Sequence, residues 1–195
     1  MFSTRTPGSL SPNPISAGLQ VLSENGRAWL DLTASNPTRV GLLPDPETVL
    51  PALAHSSSLC YDADPRGMPS AREAVARYYQ RREGLKVPIE RLFLTASTSE
   101  AYSLLLKLLV DPGQSVLVPR PSYPLFDHLL ALEGVRPVPY PLRYDGAWHI
   151  DPGALEAAVT SDTRAIIVVN PHNPTGMVLK RSELELLTRI CLKHD

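Results

Sequence analysis

From Arg91 onwards the chain alternates short apolar runs with helical patterns, and that rhythm restricts it to one class of architecture. "RLFLT" (91–95) reads as a strand, "SEAYSLLLKLL" as a helix ended by Asp111-Pro112-Gly113, "SVLVP" (115–119) as a second strand and "PLFDHLLALEG" as a second helix. "VRPVPYPL" (135–142) carries three prolines, which cannot donate to a ladder, so this strand is expected at a sheet edge. "DPGALEAAV" reads as a helix capped by Asp151, and "RAIIVV" (164–169) as a buried strand. A last helix is expected from about Ser182, with Glu185 three residues after its cap. Strands alternating with helices make βαβ units, hence an α/β fold of three layers, helices on both faces of a mostly parallel sheet. Ligands in such sheets sit beyond the carboxyl ends of the strands. The loops after "FLT", "VLVP" and "IIVV" are therefore the candidate sites.

Ahead of this region lie a proline-rich arm, a helical pattern at about 46–54, and a clearer one at "PSAREAVARYYQRREG". There Ala71, Ala74, Val75 and Tyr78 share one face, and Gly84 stops the run. At 195 residues the chain is long enough to bury a core as one domain or to be part of something larger. A net charge of −1 leaves no electrostatic footprint for nucleic acid or for an anionic membrane surface. No run approaches the roughly 18 apolar residues of a membrane span, and the N-terminus lacks the apolar region of a secretion signal. Cys60 and Cys191 lie far apart and form no C-x-x-C pair, so neither a disulfide framework nor a metal site is expected. The expectation is a soluble, cytoplasmic protein that handles small molecules.

Each candidate loop has two readings on its own residues. In "ASTSEAY", Ser97, Thr98 and Ser99 offer hydroxyls and successive N–H groups at a helix N-terminus, where the helix dipole favours an anion such as phosphate. Equally, Ser97 and Glu100 can form a capping box and nothing more. The Gly-Lys-Ser/Thr of a nucleotide-binding loop and the G-x-G-x-x-G of a dinucleotide fold are both absent. In "RPSYPLF", Tyr123 sits on a segment stiffened by prolines and could stack on a flat ligand or simply pack under the loop. "VNPHNPTG" (169–176) either holds its asparagines still for a ligand or is a plain turn.

Taken together and in order, "YDADPRGMPSAREAVARYY", "TASTSEAY", "PRPSYPLF" and "NPHNPTG" resemble the N-terminal half of the class I/II, fold type I pyridoxal-phosphate aminotransferases, from "DLTASNPT" at 31 to the final "CLKHD". The resemblance implies pyridoxal 5'-phosphate as cofactor. It makes Ser97, Thr98 and Ser99 the phosphate-binding segment, Tyr123 the aromatic ring over the pyridine and Asn173 the donor to the phenolic oxygen. It assigns Tyr61 to the phosphate of a neighbouring subunit, with Gly67 turning the chain behind it, and so implies a homodimer. Ser35 and Asn36 fall where the family touches the substrate carboxylate. His172, between two prolines, reads as structural rather than as a base.

In the family, the Schiff-base lysine, the acid on the ring nitrogen and usually an arginine for the substrate follow "NPxNPTG". Lys86, Lys107, Lys180 and Lys193 all lie in or beside helical patterns, none in the serine-rich context of the family's lysine, so no catalytic residue is assigned. The expectation is a truncated chain: residues 1–45 an arm and part of a small domain, residues 46–195 an incomplete cofactor-binding domain. The implied reaction is amino transfer from an amino acid to a 2-oxo acid. The alternatives are a lyase or decarboxylase on the same scaffold, and a non-catalytic remnant or split-gene half.

Overall fold

The structure, a computed structural model, describes residues 3, 5–6, 11–33 and 35–194; the other positions, which include part of the expected arm, lie outside the described residues. The chain forms two compact units, Ser9–Leu94 and Met1–Gly8 with Thr95–Asp195. Among the described residues no helix is long and apolar enough to cross a membrane.

The first of these units is helical. The proline-rich arm contains a helix, α1 (Pro14–Glu24), that the sequence reading passed over. Asn13 caps it by accepting from the Ser16 N–H at 2.9 Å, and Pro14 occupies the first turn, where its missing N–H is no loss. Helix α2 (Pro46–Leu53) repeats the device with Asp45 and Pro46. Helix α3 (Pro69–Glu83) ends at Gly84, whose φ of 67° only glycine adopts readily. The face of α3 expected to be buried is largely open, with Tyr78 45% exposed, and the buried residue is Arg72. Its guanidinium fork donates to Gly67 O at 2.9 Å and Ile89 O at 3.0 Å, and pairs with the Asp64 carboxylate at 3.2 Å. Five donors in fixed geometry let one arginine gather three acceptors that no lysine could hold together.

The expected strand at 91–95 does not form. Ile89–Arg91 is a short 3-10 helix, and the Leu94 N–H donates to Arg66 O at 2.9 Å, away from any ladder. Leu94 also packs on Gly67, whose φ is 89° and whose hypothetical Cβ would lie 2.5 Å from the Leu94 Cβ. Apolar residues become a strand only where a neighbour offers a ladder, and here the turn at 64–67 takes the segment's donor instead.

The second unit carries the sheet. Helix α4 (Thr98–Leu109) leads into β1 (Ser115–Arg120), α5 (Leu125–Leu132), β2 (Arg136–Tyr144), β3 (Trp148–Ile150), α6 (Pro152–Ala158), β4 (Thr163–Ile166) and α7 (Arg181–Lys193). Strand order is β3-β2-β1-β4, with β1 parallel to both β2 and β4 and β3 antiparallel to β2. Side chains of β1 alternate between two cores. Val116 and Val118 pack with Leu106 of α4 and Phe126 and Leu130 of α5, while Leu117 packs with Tyr140, Leu155 of α6 and Leu187 and Ile190 of α7. All three β1 side chains are fully buried. Burial of a valine or leucine contributes roughly 1.5–3 kcal/mol, so this short strand anchors both layers. The expected α/β/α arrangement is present.

The proline-bearing β2 corrects the expectation in part. It has β1 against Arg136–Pro141 and β3 against its last three residues on the other side, so the rim away from β1 is an edge only over Arg136–Pro141. The Arg136 N–H donates to Gln114 O on the β1 side; by alternation Pro137, Pro139 and Pro141 turn their missing donors the other way, where no strand sits. The sequence reading had no β3, although Asp145-Gly146 between β2 and β3 is a hairpin signal.

The last helix starts at Arg181, and its capping carboxylate is Glu183 rather than Glu185. Glu183 is buried and uses both oxygens on main-chain donors, Lys180 N–H at 2.8 Å and Ile150 N–H at 2.8 Å, so it ties α7 to β3. Glu183→Ala leaves a buried N–H unsatisfied, a loss of roughly 1–3 kcal/mol for that group, and loses the cap besides. Urea denaturation of the variant is expected to show at least that destabilisation, with Glu183→Gln intermediate and Glu185→Ala close to wild type.

Candidate functional site

Strand β1 is the switch point of the sheet. The chain leaves it for α5 on one face, and leaves its neighbour β4 for α7 on the opposite face. The connections diverge at the carboxyl end of β1, which leaves a crevice between β1 and β4. The loop after β1 carries Tyr123 and the loop after β4 carries Asn173. Helix α4 runs back along β1, because its last residues pack with Val116 before the turn at Asp111–Gln114; its N-terminus therefore reaches the same end of the sheet. One turn into α4, Tyr102 meets Phe126 edge-to-face at 5.1 Å, and Phe126 meets Tyr123 in the same manner at 5.7 Å. The structure thus brings Ser97, Thr98, Ser99, Tyr123 and Asn173 to one end of one sheet.

The α4 N-terminus is both a cap and an open donor set. The Ser97 Oγ accepts from the Glu100 N–H at 3.2 Å, so Ser97 caps the helix, but the Glu100 carboxylate takes the Ala96 N–H at 2.6 Å in place of the Ser97 N–H that a capping box would use. Beyond it, the N–H groups of Thr98 and Ser99 and their hydroxyls have no hydrogen-bond partner among the described residues. Two free N–H groups, two free hydroxyls and the positive end of a 12-residue helix suit a phosphate; the Glu100 charge opposes it.

The loop after β4 is closed on itself. The His172 N–H donates to Met177 O at 2.8 Å, and the Gly176 N–H donates to His172 O at 2.7 Å. Thr175 Oγ1 accepts from the Met177 N–H at 3.2 Å and lies 2.8 Å from His172 Nδ1. At the base, Asn170 Oδ1 accepts from the Leu179 N–H at 2.9 Å. The peptide bonds before Pro121, Pro171 and Pro174 are cis. Asn173, at the tip, is exposed, and its amide makes no hydrogen bond with the described residues. Among the described residues two buried side-chain polar atoms lack partners, and both lie in these two loops: Ser122 Oγ and His172 Nε2. A site with a free anion nest, a half-buried tyrosine ring and a free amide has the donors and the apolar surface that a phosphorylated aromatic cofactor calls for.

Tyr61, Ser35 and Asn36 belong to the helical unit. Tyr61 is 96% exposed. Asn36 caps the 3-10 helix Pro37–Val40, accepting from the Thr38 N–H at 3.0 Å and its hydroxyl at 2.7 Å, and Ser35 lines a concave patch with Asp31, Thr33 and Arg39. Arg72, Glu183 and Ser122 were not singled out by the sequence. For Arg72 the local pattern gave little signal, since it sits about 100° round the helix from Ala71, beside the face expected to be buried and not on it.

Known proteins extend the picture. The profile of the aminotransferase class I and II family matches residues 28–195. The glutamate-pyruvate aminotransferase AlaA of Haemophilus influenzae is 30% identical over 174 residues, 89% of this chain and 43% of that protein. Among solved structures, an alanine aminotransferase from Pyrococcus furiosus superposes with a TM-score of 0.77 at 29% identity, covering 90% of this chain and 45% of its own. A single mutant of Thermus thermophilus aspartate aminotransferase reaches 0.80 at 29% identity, covering all of this chain and 51% of its own. The chain spans about half the length of these relatives.

Burial holds the His172 imidazole below its usual pKa, because a charged ring there would have no water around it. The unfolded chain takes up the proton as pH falls through about 6.5, while the folded protein stays neutral. Stability from this residue is therefore complete above that pH and declines below it until the folded pKa is passed. Unfolding free energies measured from about pH 8 to about pH 5 should fall on acidification, and His172→Asn should remove that part of the slope.

Proposed function

The chain belongs to the class I and II aminotransferases, and on that premise we propose that it is the cofactor-binding part of a pyridoxal-phosphate enzyme that moves an amino group from an amino acid to a 2-oxo acid. The observation that carries this reading is the convergence of an open anion nest, a tyrosine ring and an unpaired amide at the switch point of a parallel sheet. Pyridoxal phosphate supplies a conjugated ring that takes up electrons released at the substrate's α-carbon. The N–H groups of Thr98 and Ser99 and the hydroxyls of Ser97, Thr98 and Ser99 hold its phosphate against the helix dipole. Tyr123 packs on the ring and excludes water from one side. The Asn173 amide donates to the phenolic oxygen and keeps it anionic, a charge-assisted bond. Tyr61, exposed on its own unit, reaches the phosphate of a second subunit in a homodimer, and Ser35 and Asn36 meet the substrate carboxylate. In this reading residues 1–45 form an arm and part of a small domain, residues 46–195 belong to the cofactor-binding domain, and the enzyme works in the cytoplasm.

The four lysines support a further part of the proposal, that the Schiff-base lysine comes from outside these residues. A lysine must be neutral to attack a carbonyl. Lys107 is paired with Glu133 at 2.6 Å and Lys193 with Glu156, while Lys86 and Lys180 are exposed. An apolar groove lined by Leu105, Leu109, Val110, Ile166 and Val168, with Leu104 and Leu108 exposed on the same helix, offers further polypeptide a place to pack.

Titration of the purified chain with pyridoxal 5'-phosphate tests the cofactor reading. Tyr123→Ala should weaken binding about tenfold, from the roughly 0.5–1.5 kcal/mol of a lost aromatic stack plus lost area, and Tyr123→Phe should be mild. Asn173→Ala removes a bond to a charged group, about 1.5–3 kcal/mol, and should weaken binding about tenfold to a hundredfold. Unchanged affinity in both alanine variants would return these loops to the rank of rigid turns. Assayed with several amino donors, the chain alone should give no amino transfer; turnover would put one of its four lysines at the cofactor.

A further inference from the structure

We infer that His172 is the positioning residue that aims the Asn173 amide, by closing the loop at its Nδ1 and at both of its main-chain polar groups. The inference rests on the assignment of Asn173 as a cofactor donor. Asn173 has no hydrogen bond of its own with the described residues, and the proline after it lacks an N–H, so its direction is inherited from its neighbours. The adjacent residue His172 is held at three polar groups. Its N–H and C=O bridge to Met177 and Gly176 at 2.8 and 2.7 Å, the residue is 3% exposed, and its Nδ1 reaches the Thr175 hydroxyl at 2.8 Å. Thr175 in turn holds the Met177 N–H, so ring, hydroxyl and main chain form one closed circuit across the base of the tip.

That circuit works in either ring tautomer. Thr175 Oγ1 accepts from the Met177 N–H and keeps both its proton and a second lone pair, so it can meet Nδ1 as donor or as acceptor. The buried Nε2 has no partner among the described residues in either case, a standing penalty that an apolar ring of the same size would avoid. What the imidazole contributes at this place is therefore the hydrogen bond at Nδ1. A charged ring would add a buried Nε2–H with no acceptor, and burial disfavours that state.

Three substitutions separate shape from hydrogen bonding. His172→Phe keeps the ring and removes the hydrogen bond, His172→Asn keeps a hydrogen-bonding group near the Nδ1 position and removes the ring, and Thr175→Val removes the partner hydroxyl at nearly constant shape. Each is made alone and with Asn173→Ala in the purified chain, with far-UV circular dichroism to show that the fold persists. Two quantities are read: affinity for pyridoxal 5'-phosphate, and hydrogen exchange of the Gly176 and Met177 amides by NMR without any ligand. His172→Phe and Thr175→Val should speed exchange at those amides and weaken cofactor binding about tenfold, His172→Asn should restore most of both, and neither should weaken binding further once Asn173 is alanine. Slow exchange and wild-type affinity in His172→Phe, beside a weakened Asn173→Ala, overturn the inference and leave the cofactor reading standing. Effects that multiply in the double variants overturn it too, since His172 would then act elsewhere than through Asn173. An Asn173→Ala chain that binds as well as wild type removes the cofactor assignment itself, and the inference with it.

Discussion

The rest of the molecule depends on how completely β1 is enclosed. All six residues pair with β2 along one edge, Ser115, Val116 and Leu117 pair with β4 along the other, and helices cover both faces, with no valine or leucine of the strand reaching water. That enclosure sends the chain from the carboxyl end of β1 over one face into α5, while the chain from the end of β4 continues to α7 on the opposite face. The crevice is a by-product of this routing. It is the place where two connections part, and the main-chain and side-chain donors of three segments come to it without any one segment having to fold around a ligand.

The layered core explains why a loop can act as part of a site at all. Helix α4 is held by Leu106 and Val110 at one end and by the Tyr102–Phe126 contact near the other, so its N-terminal donors are fixed by the same packing that stabilises the sheet. Phe126 serves twice, since it also carries Tyr123. The loop after β4 has no such outside support for its tip and solves the problem internally, through the hydrogen-bonded circuit around His172. Two different means of immobilisation, packing and local hydrogen bonding, therefore meet in one small region.

Much of this was legible in the residues, and the failures have physical causes. The periodicity of "SVLVP" and the caps at Ser97 and Asp151 are local properties, set by a few neighbouring residues, and these elements formed where expected. "RLFLT" has the right composition for a strand, but strand formation is a property of pairs, and its Leu94 donor went to Arg66. Ser182 is a better cap by type than Lys180, yet the helix starts where Glu183 can also meet the Ile150 N–H, a tertiary demand no local rule contains. Arg72 escaped notice because periodicity arguments count apolar residues and pass over a buried guanidinium. The loop positions were legible because prolines and asparagines advertise rigidity; which atom holds the loop shut was not, since the Thr175 hydroxyl can turn several ways until the main chain of Met177 claims one of its lone pairs.

The spacing of prolines in β2 reaches beyond the fold of a single molecule. Pro137, Pro139 and Pro141 present a rim that has carbonyl acceptors and no donors over the stretch that β3 leaves uncovered. A strand from another molecule arriving there would find half of the hydrogen bonds it needs, and would gain little by staying. The two-residue period of the prolines matches the two-residue period of the strand, so the blocked positions all fall on the outer side while the inner side keeps its full ladder with β1. The same sequence feature that looks like damage to a strand thus lets the sheet grow inwards during folding and keeps that rim from templating growth outwards into fibrils.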